Sequence, residues 1–126
     1  MSQPPLVLVV EDEYLLMADL EQVLNGAGFA TEATWSAEDA LALFVGDTKK
    51  YKALITDVRL SGTMNGWEAA RCFREKEPAL PIIYLTASSV GEWVSEGVPD
   101  SILIPKPFAR EQLISAVSNL LKSERD

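Results

Sequence analysis

Acidic side chains follow two apolar runs of the kind that form buried strands. The run Leu6–Val10 ends directly on Glu11 and Asp12, and the run Ala53–Thr56 ends on Asp57. In a parallel sheet the carboxyl ends of neighbouring strands meet at one edge, which is where open α/β sheets bind their ligands. Carboxylates that converge there repel one another, and a ligand set made only of oxygen suits Mg²⁺. The sequence therefore predicts a divalent-cation site at this edge.

A hydroxyl and an ammonium group follow two further strand-like runs. Thr86 ends the run Pro81–Thr86, and Lys106 comes two residues after the run Ser101–Ile104. Both groups can donate hydrogen bonds to phosphoryl oxygens, and an aspartate can act as the nucleophile that forms an aspartyl phosphate. Taken singly, these residues are typical of an ordinary strand end and a solvated surface lysine. Together with the acidic residues they supply what phosphoryl transfer requires: a cation, an ammonium group and a nucleophile.

Apolar residues recur along the chain in two alternating patterns. Short apolar runs predict five strands, at Leu6–Val10, Phe29–Thr34, Ala53–Asp57, Pro81–Thr86 and Ser101–Ile104. Helical spacing predicts five helices, at Tyr14–Ala27, Ser36–Phe44, Trp67–Lys76, Ser88–Gly97 and Phe108–Lys122, the fourth of them short. Strands that alternate with helices indicate a parallel sheet with helices on both faces. We expect an α/β fold with a doubly wound, five-stranded parallel sheet in the flavodoxin-like order 2-1-3-4-5.

The length of 126 residues is that of one domain. We expect residues 1–126 to form a single domain with its core at about residues 6–121, and no output domain in this chain. No apolar run approaches the roughly 18 residues of a membrane span, and the first residues lack the pattern of a signal peptide. The only cysteine, Cys72, cannot form an internal disulfide. A cytoplasmic protein that does not bind membranes is therefore expected.

Two features of the composition exclude whole classes of function. The chain contains no histidine, which excludes histidine-ligated zinc, Ser-His-Asp catalysis and a histidine phosphocarrier role. The net charge of −8 disfavours direct binding to nucleic acid, because such binding requires a basic surface. The acidic balance is compatible with a site that concentrates divalent cations.

Four segments, in this order and spacing, resemble the response-regulator receiver domain of two-component signalling. They are Val9–Glu13, Leu54–Leu60, Leu85–Ala87 and Lys106–Phe108. The resemblance covers roughly Leu6–Leu121, and it is closest to receivers that stand alone. It implies a domain that signals through controlled contacts with other proteins.

The resemblance also assigns roles at the metal and acceptor site. It implies that Asp57 accepts a phosphoryl group from a sensor histidine kinase or a phosphotransfer protein. It implies that Asp12 ligates Mg²⁺ or Mn²⁺ directly, and that Glu11 does so directly or through water. The backbone carbonyl of Arg59 is expected to complete the ligands that the protein supplies, together with Asp57.

The same resemblance assigns Thr86 as the switch hydroxyl and Lys106 as the phosphate-binding ammonium. It places a cis peptide bond between Lys106 and Pro107, which X-Pro bonds tolerate. The domain would catalyse only its own phosphorylation and dephosphorylation, so it is not expected to be an enzyme in the usual sense. Its downstream target is a protein that the sequence does not identify, and a monomer or weak dimer is expected.

Three positions depart from the usual pattern of these domains. Ser61 stands where proline is common, and the loop Gly62–Met64 is one residue longer than the commonest form. Leu103 replaces the aromatic residue that usually turns inward during switching. We therefore expect the response to phosphorylation to appear as a rearrangement of Ser88–Asp100, which would present Trp93 differently to a partner.

Three other classes of protein would require different residues from those that the sequence contains. A phosphatase of the haloacid-dehalogenase type would need a second aspartate two residues after Asp57, where Arg59 stands. A flavodoxin-like nucleotide binder would need a glycine-rich turn after the first strand, where the chain is acidic instead. An unphosphorylated pseudo-receiver that only binds other proteins would be expected to lack part of the acidic set.

Overall fold

Five parallel strands form a sheet in the computed structural model, which describes residues 3–88 and 90–125. The strands are β1 (Leu6–Val10), β2 (Ala30–Thr34), β3 (Ala53–Asp57), β4 (Ile82–Thr86) and β5 (Ile102–Pro105). Their order is β2-β1-β3-β4-β5, and each neighbouring pair is parallel. The predicted flavodoxin-like sheet is thus confirmed. Position 89, within the predicted fourth helix, lies outside the described residues.

Helices connect successive strands. They are α1 (Tyr14–Gly26), α2 (Ala37–Gly46), α3 (Gly66–Lys76), α4 (Trp93–Glu96) and α5 (Arg110–Arg125), with a 3₁₀ turn at Val90–Glu92 before α4. The fourth helix is as short as its sequence predicts, since glycine and β-branched residues weaken it. The fifth begins later than the predicted Phe108, because the first bonds of α5 are donated to the carbonyl of Ala109.

The core lies in two layers, one on each face of the sheet. Alternate residues of β1 point to opposite faces, so Leu8 packs with α2 and α3, whereas Val9 packs with α1 and α5. The central strands are covered on both sides, which explains why their sequences are apolar at nearly every position. This packing holds the carboxyl ends of β1 and β3 side by side. Among the described residues, no helix is long and apolar enough to cross a bilayer.

Two side-chain caps fix where α2 and α3 begin. Ser36 accepts a hydrogen bond from the Asp39 N–H at 3.1 Å and so caps the first turn of α2. Asn65 and Glu68 form a complete reciprocal capping box, each accepting the other's backbone N–H. This capping box was not predicted from the sequence. It sets the start of α3 directly after the loop that follows Asp57.

Candidate functional site

Three carboxylates meet at the carboxyl edge of the sheet. Glu11, Asp12 and Asp57 each contribute one oxygen to a group whose members all lie within 4.8 Å of one another. The register explains the meeting, because Val10 is paired with Thr56 and the next residue of each strand is Glu11 or Asp57. Glu11 is held further by the Glu13 N–H, which donates to its Oε2 at 2.9 Å. The structure thus brings together the three acidic side chains that the sequence singles out.

Lys106 reaches this group from the other side of β4. Its Nζ lies 3.2 Å from Asp57 Oδ2 and 3.2 Å from Glu11 Oε1, so one ammonium group is shared by two carboxylates. Its backbone N–H donates to the carbonyl of Thr86 at 2.8 Å, which anchors the residue at the end of β5. The following bond to Pro107 is cis, as predicted. The structure therefore places a cation against the candidate nucleophile.

Burial governs the ionisation of the two inner carboxylates. Glu11 has no exposed surface, and burial, reinforced by the charge of Asp57, raises its pKa to about 7. Burial also raises the pKa of Asp57, although the Lys106 ammonium opposes this shift. Burial acts against the Lys106 ammonium, but the facing carboxylates outweigh it and raise the pKa of that lysine. The site thus holds more negative charge than its single ammonium group neutralises.

The chemistry of these donors fits a hard divalent cation. All three side chains offer carboxylate oxygens, which Mg²⁺ and Mn²⁺ prefer over the nitrogen and sulfur ligands of softer metals. Two of the carboxylates are buried, so a second positive charge would relieve repulsion that water cannot screen. The residues present therefore match the predicted metal, and the cluster is open enough at Asp12 for a cation to enter.

Thr86 and Arg59 flank the acidic group. Thr86 is buried at the end of β4, the strand between those that carry Asp57 and Lys106, and its hydroxyl accepts a hydrogen bond from the Ser88 N–H at 3.2 Å. The Arg59 N–H points to Asp57 Oδ1 at 3.4 Å, which places the backbone of Arg59 beside the Asp57 carboxylate. The roles of the Thr86 hydroxyl and the Arg59 carbonyl remain predictions.

The structure adds a residue that sequence reasoning did not assign to the site. Both the N–H and the Oγ–H of Ser61 donate to Asp12 Oδ2, at 2.8 and 2.9 Å. Although partial burial acts the other way, these two donors lower the pKa of Asp12. The unusual serine was visible in the sequence, but its partner lies 49 residues away and could not be inferred.

Exposed aromatic side chains lie at the same edge of the sheet. Tyr14 begins α1 just after the acidic residues, and Trp35 follows the end of β2. Their rings stack with centroids 5.9 Å apart, yet the two side chains remain 61% and 53% exposed. Next to them, Leu15 is also largely exposed. An apolar surface of this kind beside a polar site is typical of protein contacts.

Comparison with known proteins agrees with the fold. The sheet order is that of a doubly wound α/β domain, and the acidic residues lie at the edge where such sheets bind ligands. Residues 7–118 match the response regulator receiver domain family, and the chain belongs to that family. The resemblance noted in the sequence is therefore confirmed.

Curated relatives of similar sequence include response regulators. The chain is 33% identical over 123 residues to the response regulator MprA of Mycolicibacterium vanbaalenii, which covers 94% of the chain and 51% of the relative. MprA of Mycobacterium avium is 33% identical over 120 residues, covering 92% of the chain and 50% of the relative. The chain thus spans about half the length of these curated relatives.

Two solved structures illustrate the fold. A response regulator receiver protein from Sinorhizobium medicae is 39% identical, with a TM-score of 0.90 and coverage of 94% of this chain and 95% of that chain. The chemotaxis protein CheY4 from Vibrio cholerae is 26% identical, with a TM-score of 0.84 and coverage of 93% of this chain and 98% of that chain. The architecture described above is therefore that of experimentally determined receiver domains.

Proposed function

We propose that this receiver domain accepts a phosphoryl group on Asp57 in a reaction that depends on Mg²⁺ or Mn²⁺. The observation that carries the proposal is the meeting of Asp57 with two further carboxylates and the Lys106 ammonium at one edge of the sheet. Glu11, Asp12, Asp57 and the Arg59 carbonyl would hold the cation. The cation, when bound, would neutralise charge on the phosphoryl oxygens and draw them toward the acceptor.

The donor in this proposal is a phosphohistidine on a sensor histidine kinase or a phosphotransfer protein. A carboxylate oxygen of Asp57 forms the new O–P bond while the N–P bond of the phosphohistidine breaks, and the imidazole nitrogen takes up the freed electron pair. These 126 residues contain no histidine, so the phosphohistidine lies outside them. The exposed apolar surface of Tyr14, Leu15 and Trp35 lies at the same edge and supports a protein as that donor.

In this proposal, Lys106 stabilises the phosphorylated Asp57, and Thr86 transmits the change to the segment after β4. The Lys106 ammonium lies 3.2 Å from Asp57 Oδ2 and would turn to an oxygen of the phosphoryl group, making a charge-assisted hydrogen bond. The Thr86 hydroxyl, at the end of the neighbouring strand, would bind another phosphoryl oxygen and so draw the segment after β4 toward the site. Residues 1–126 would act as one receiver unit that signals by changing its contacts with a target protein.

The complete acidic set distinguishes this proposal from a pseudo-receiver. A domain that only binds other proteins has no need to bury Glu11 and Asp57 against each other, because that arrangement is electrostatically unfavourable. The raised pKa of both groups is consistent with this unfavourable pairing. Sites at which such pairing persists are commonly functional.

Acetyl phosphate provides a direct test that needs no cognate kinase. The purified domain is incubated with acetyl phosphate and Mg²⁺, and its intact mass is measured for the natural chain and for Asp57→Asn. We expect the mass of one phosphoryl group on the natural chain, and none on Asp57→Asn or in the presence of EDTA. Labelling that persists in the variant, or that is equal in EDTA, would show that the proposal is wrong.

A further inference from the structure

Ser61 makes a double contact with the candidate metal ligand Asp12. Its backbone N–H and its hydroxyl both donate to the same oxygen, Oδ2, at 2.8 and 2.9 Å. The contact joins the loop after β3 to the loop after β1, across 49 residues of chain. A proline at this position could provide neither donor. The contact therefore depends on the residue type at position 61.

Two donors on one carboxylate oxygen restrict the side chain strongly. A carboxylate has two oxygens with about four lone-pair sites, and Ser61 occupies Oδ2 of Asp12 from two directions. Rotation of the carboxylate would break both bonds, so Oδ1 is held in one direction. Asp12 is partly exposed, and without such a restraint its side chain would be free to sample other rotamers. The contact therefore prepares Asp12 for a ligand at its second oxygen.

The loop that carries Ser61 is itself held from another element. The N–H and hydroxyl of Thr63 both donate to Glu38 Oε2, at the start of α2. Gly62 lies between Ser61 and Thr63. Its φ is +123°, and a Cβ there would lie 3.3 Å from Glu38 Oε1. Glycine thus permits both anchors to form at once. Ser61 is presented to Asp12 from a fixed position.

We propose that Ser61 is a positioning residue for the divalent cation, one that holds Asp12 Oδ2 so that the other oxygen of Asp12 can ligate the metal. The inference rests on the proposed function, because it requires that Asp12 ligate Mg²⁺. Ordered partners behind a metal ligand set its orientation, and losing one typically weakens metal binding by about 10- to 100-fold. The opposite effect, competition between the serine donors and the cation, would make metal binding tighter when Ser61 is changed.

Calorimetric titration of the full chain with Mg²⁺ tests this inference. We expect Ser61→Ala, which removes the hydroxyl donor, to raise the Kd for Mg²⁺ by about tenfold. Ser61→Thr retains both donors and should restore a Kd close to that of the natural chain. Ser115→Ala is the control: it removes an exposed serine hydroxyl from α5, which takes no part in holding Asp12 or the Ser61 loop, so its Kd should be unchanged.

Thermal unfolding in EDTA separates positioning from a general loss of structure. A purely structural role would lower the metal-free Tm of Ser61→Ala, and the Kd would change only as far as the Tm does, whereas a positioning role raises the Kd with the metal-free Tm nearly unchanged. If the natural chain binds Mg²⁺ and Ser61→Ala binds it equally well or more tightly, the role of Ser61 is refuted while the proposed function stands. If the natural chain does not bind Mg²⁺ at all, both are refuted.

Discussion

Lys106 supplies the positive charge that faces the buried carboxylates of the site. Its ammonium is shared between Asp57 Oδ2 and Glu11 Oε1, at 3.2 Å from each. In the free protein this cation partly offsets two buried carboxylates. In the proposed phosphorylated state it would be needed at the phosphoryl group instead. Because one lysine serves both states, changing it should affect metal binding and phosphoryl binding in opposite directions.

We expect Lys106→Ala to leave the affinity for Mg²⁺ intact or increased, because a competing cation is removed. We expect the same variant to bind the phosphoryl mimic beryllofluoride about 10- to 100-fold more weakly, since a charge-assisted hydrogen bond contributes about 1.5–3 kcal/mol. Calorimetry with Mg²⁺, followed by beryllofluoride in saturating Mg²⁺, measures both affinities. Loss of Mg²⁺ binding in Lys106→Ala would contradict the position given to this residue.

The metal-free protein should lose stability as the pH rises from about 4.5 to about 7. The pKa of Glu11 is raised from its usual value of 4.5 to about 7, so the folded state binds a proton in this range that the unfolded state has released. The raised pKa of Asp57 acts in the same direction. The shifts of Asp12, downward, and of Lys106, upward, take effect below and above this range respectively.

Urea unfolding in EDTA at pH 5 and pH 8 measures this dependence. We expect the free energy of unfolding to be lower at pH 8 by about 2 kcal/mol, and Glu11→Gln to remove most of the difference. Saturating Mg²⁺ should stabilise the natural chain more at pH 8, because the cation displaces the proton. An equal or greater stability of the metal-free protein at pH 8 would contradict the buried, protonated state of Glu11.

At the scale of elements, the close approach of α3 to β3 places the loop around Asp57. The Gly66 N–H donates to the carbonyl of Val58 at 2.8 Å. A Cβ on Gly66 would lie 2.3 Å from the carbonyl oxygen of Asp57 and 2.8 Å from Cα of Val58. Both are backbone atoms that cannot turn aside. The helix can therefore begin here only at a glycine.

We expect Gly66→Ala to destabilise the domain by about 1–3 kcal/mol, the usual effect of forcing extra atoms into a packed site. Gly46→Ala is the matched control, because Gly46 ends α2 and has no atom within 4 Å of the added Cβ. That control should be neutral or stabilised by up to about 1 kcal/mol. Urea unfolding measures both variants, and equal stability of the two would show that α3 can shift away from β3.

The segment between β4 and β5 contains little regular structure. Within it α4 has only four residues, and Val94 is 90% exposed. Trp93 donates to Ser101 Oγ at 3.0 Å, and the Val98 N–H donates to the Tyr84 hydroxyl at 3.1 Å. Leu103 packs partly buried in the same core layer as Trp93. Because leucine lacks an aromatic ring that could turn inward, we expect the response to phosphorylation to be accommodated by the segment itself.

Hydrogen exchange with and without beryllofluoride and Mg²⁺ tests this view. We expect protection to change across residues 90–100, because Thr86 at the start of the connection would move toward the phosphoryl group. Asp57→Asn, which should not bind the mimic covalently, is the control and should show no change. Unchanged exchange across residues 90–100, with a response confined to the loop around Asp57, would place the switch elsewhere.

For the whole molecule, the sequence predicted the fold and the site best where an acidic residue ends a buried apolar strand. The five strands followed from apolar runs, and their order is the flavodoxin-like one expected for a doubly wound five-stranded sheet. Glu11 and Asp57 followed because strand ends in a parallel sheet share an edge. Contacts between loops could not be predicted, because no local pattern specifies them. The bonds from Ser61 to Asp12 are of this kind.

Helix ends were the other part of the fold that the sequence did not fully specify. The capping box formed by Asn65 and Glu68 was not predicted, because Asn65 directly follows a loop in which polar residues are common. The sequence also did not reveal that Tyr14 and Trp35 stack. The two residues follow β1 and β2, and the pairing of these strands brings them together. Tertiary packing decides such contacts.

Chemical trapping of the phosphorylated residue tests the central claim most directly. The domain is treated with acetyl phosphate and Mg²⁺ and then with borohydride, which reduces an acyl phosphate to an alcohol and releases phosphate. Peptide mass spectrometry then identifies the reduced residue. We expect Asp57, and no other acidic residue, to be converted to homoserine, and the conversion to require the divalent cation. Reduction at Glu11 or Asp12, or a stable phosphate on a serine or threonine instead, would contradict the assignment of Asp57 as the acceptor.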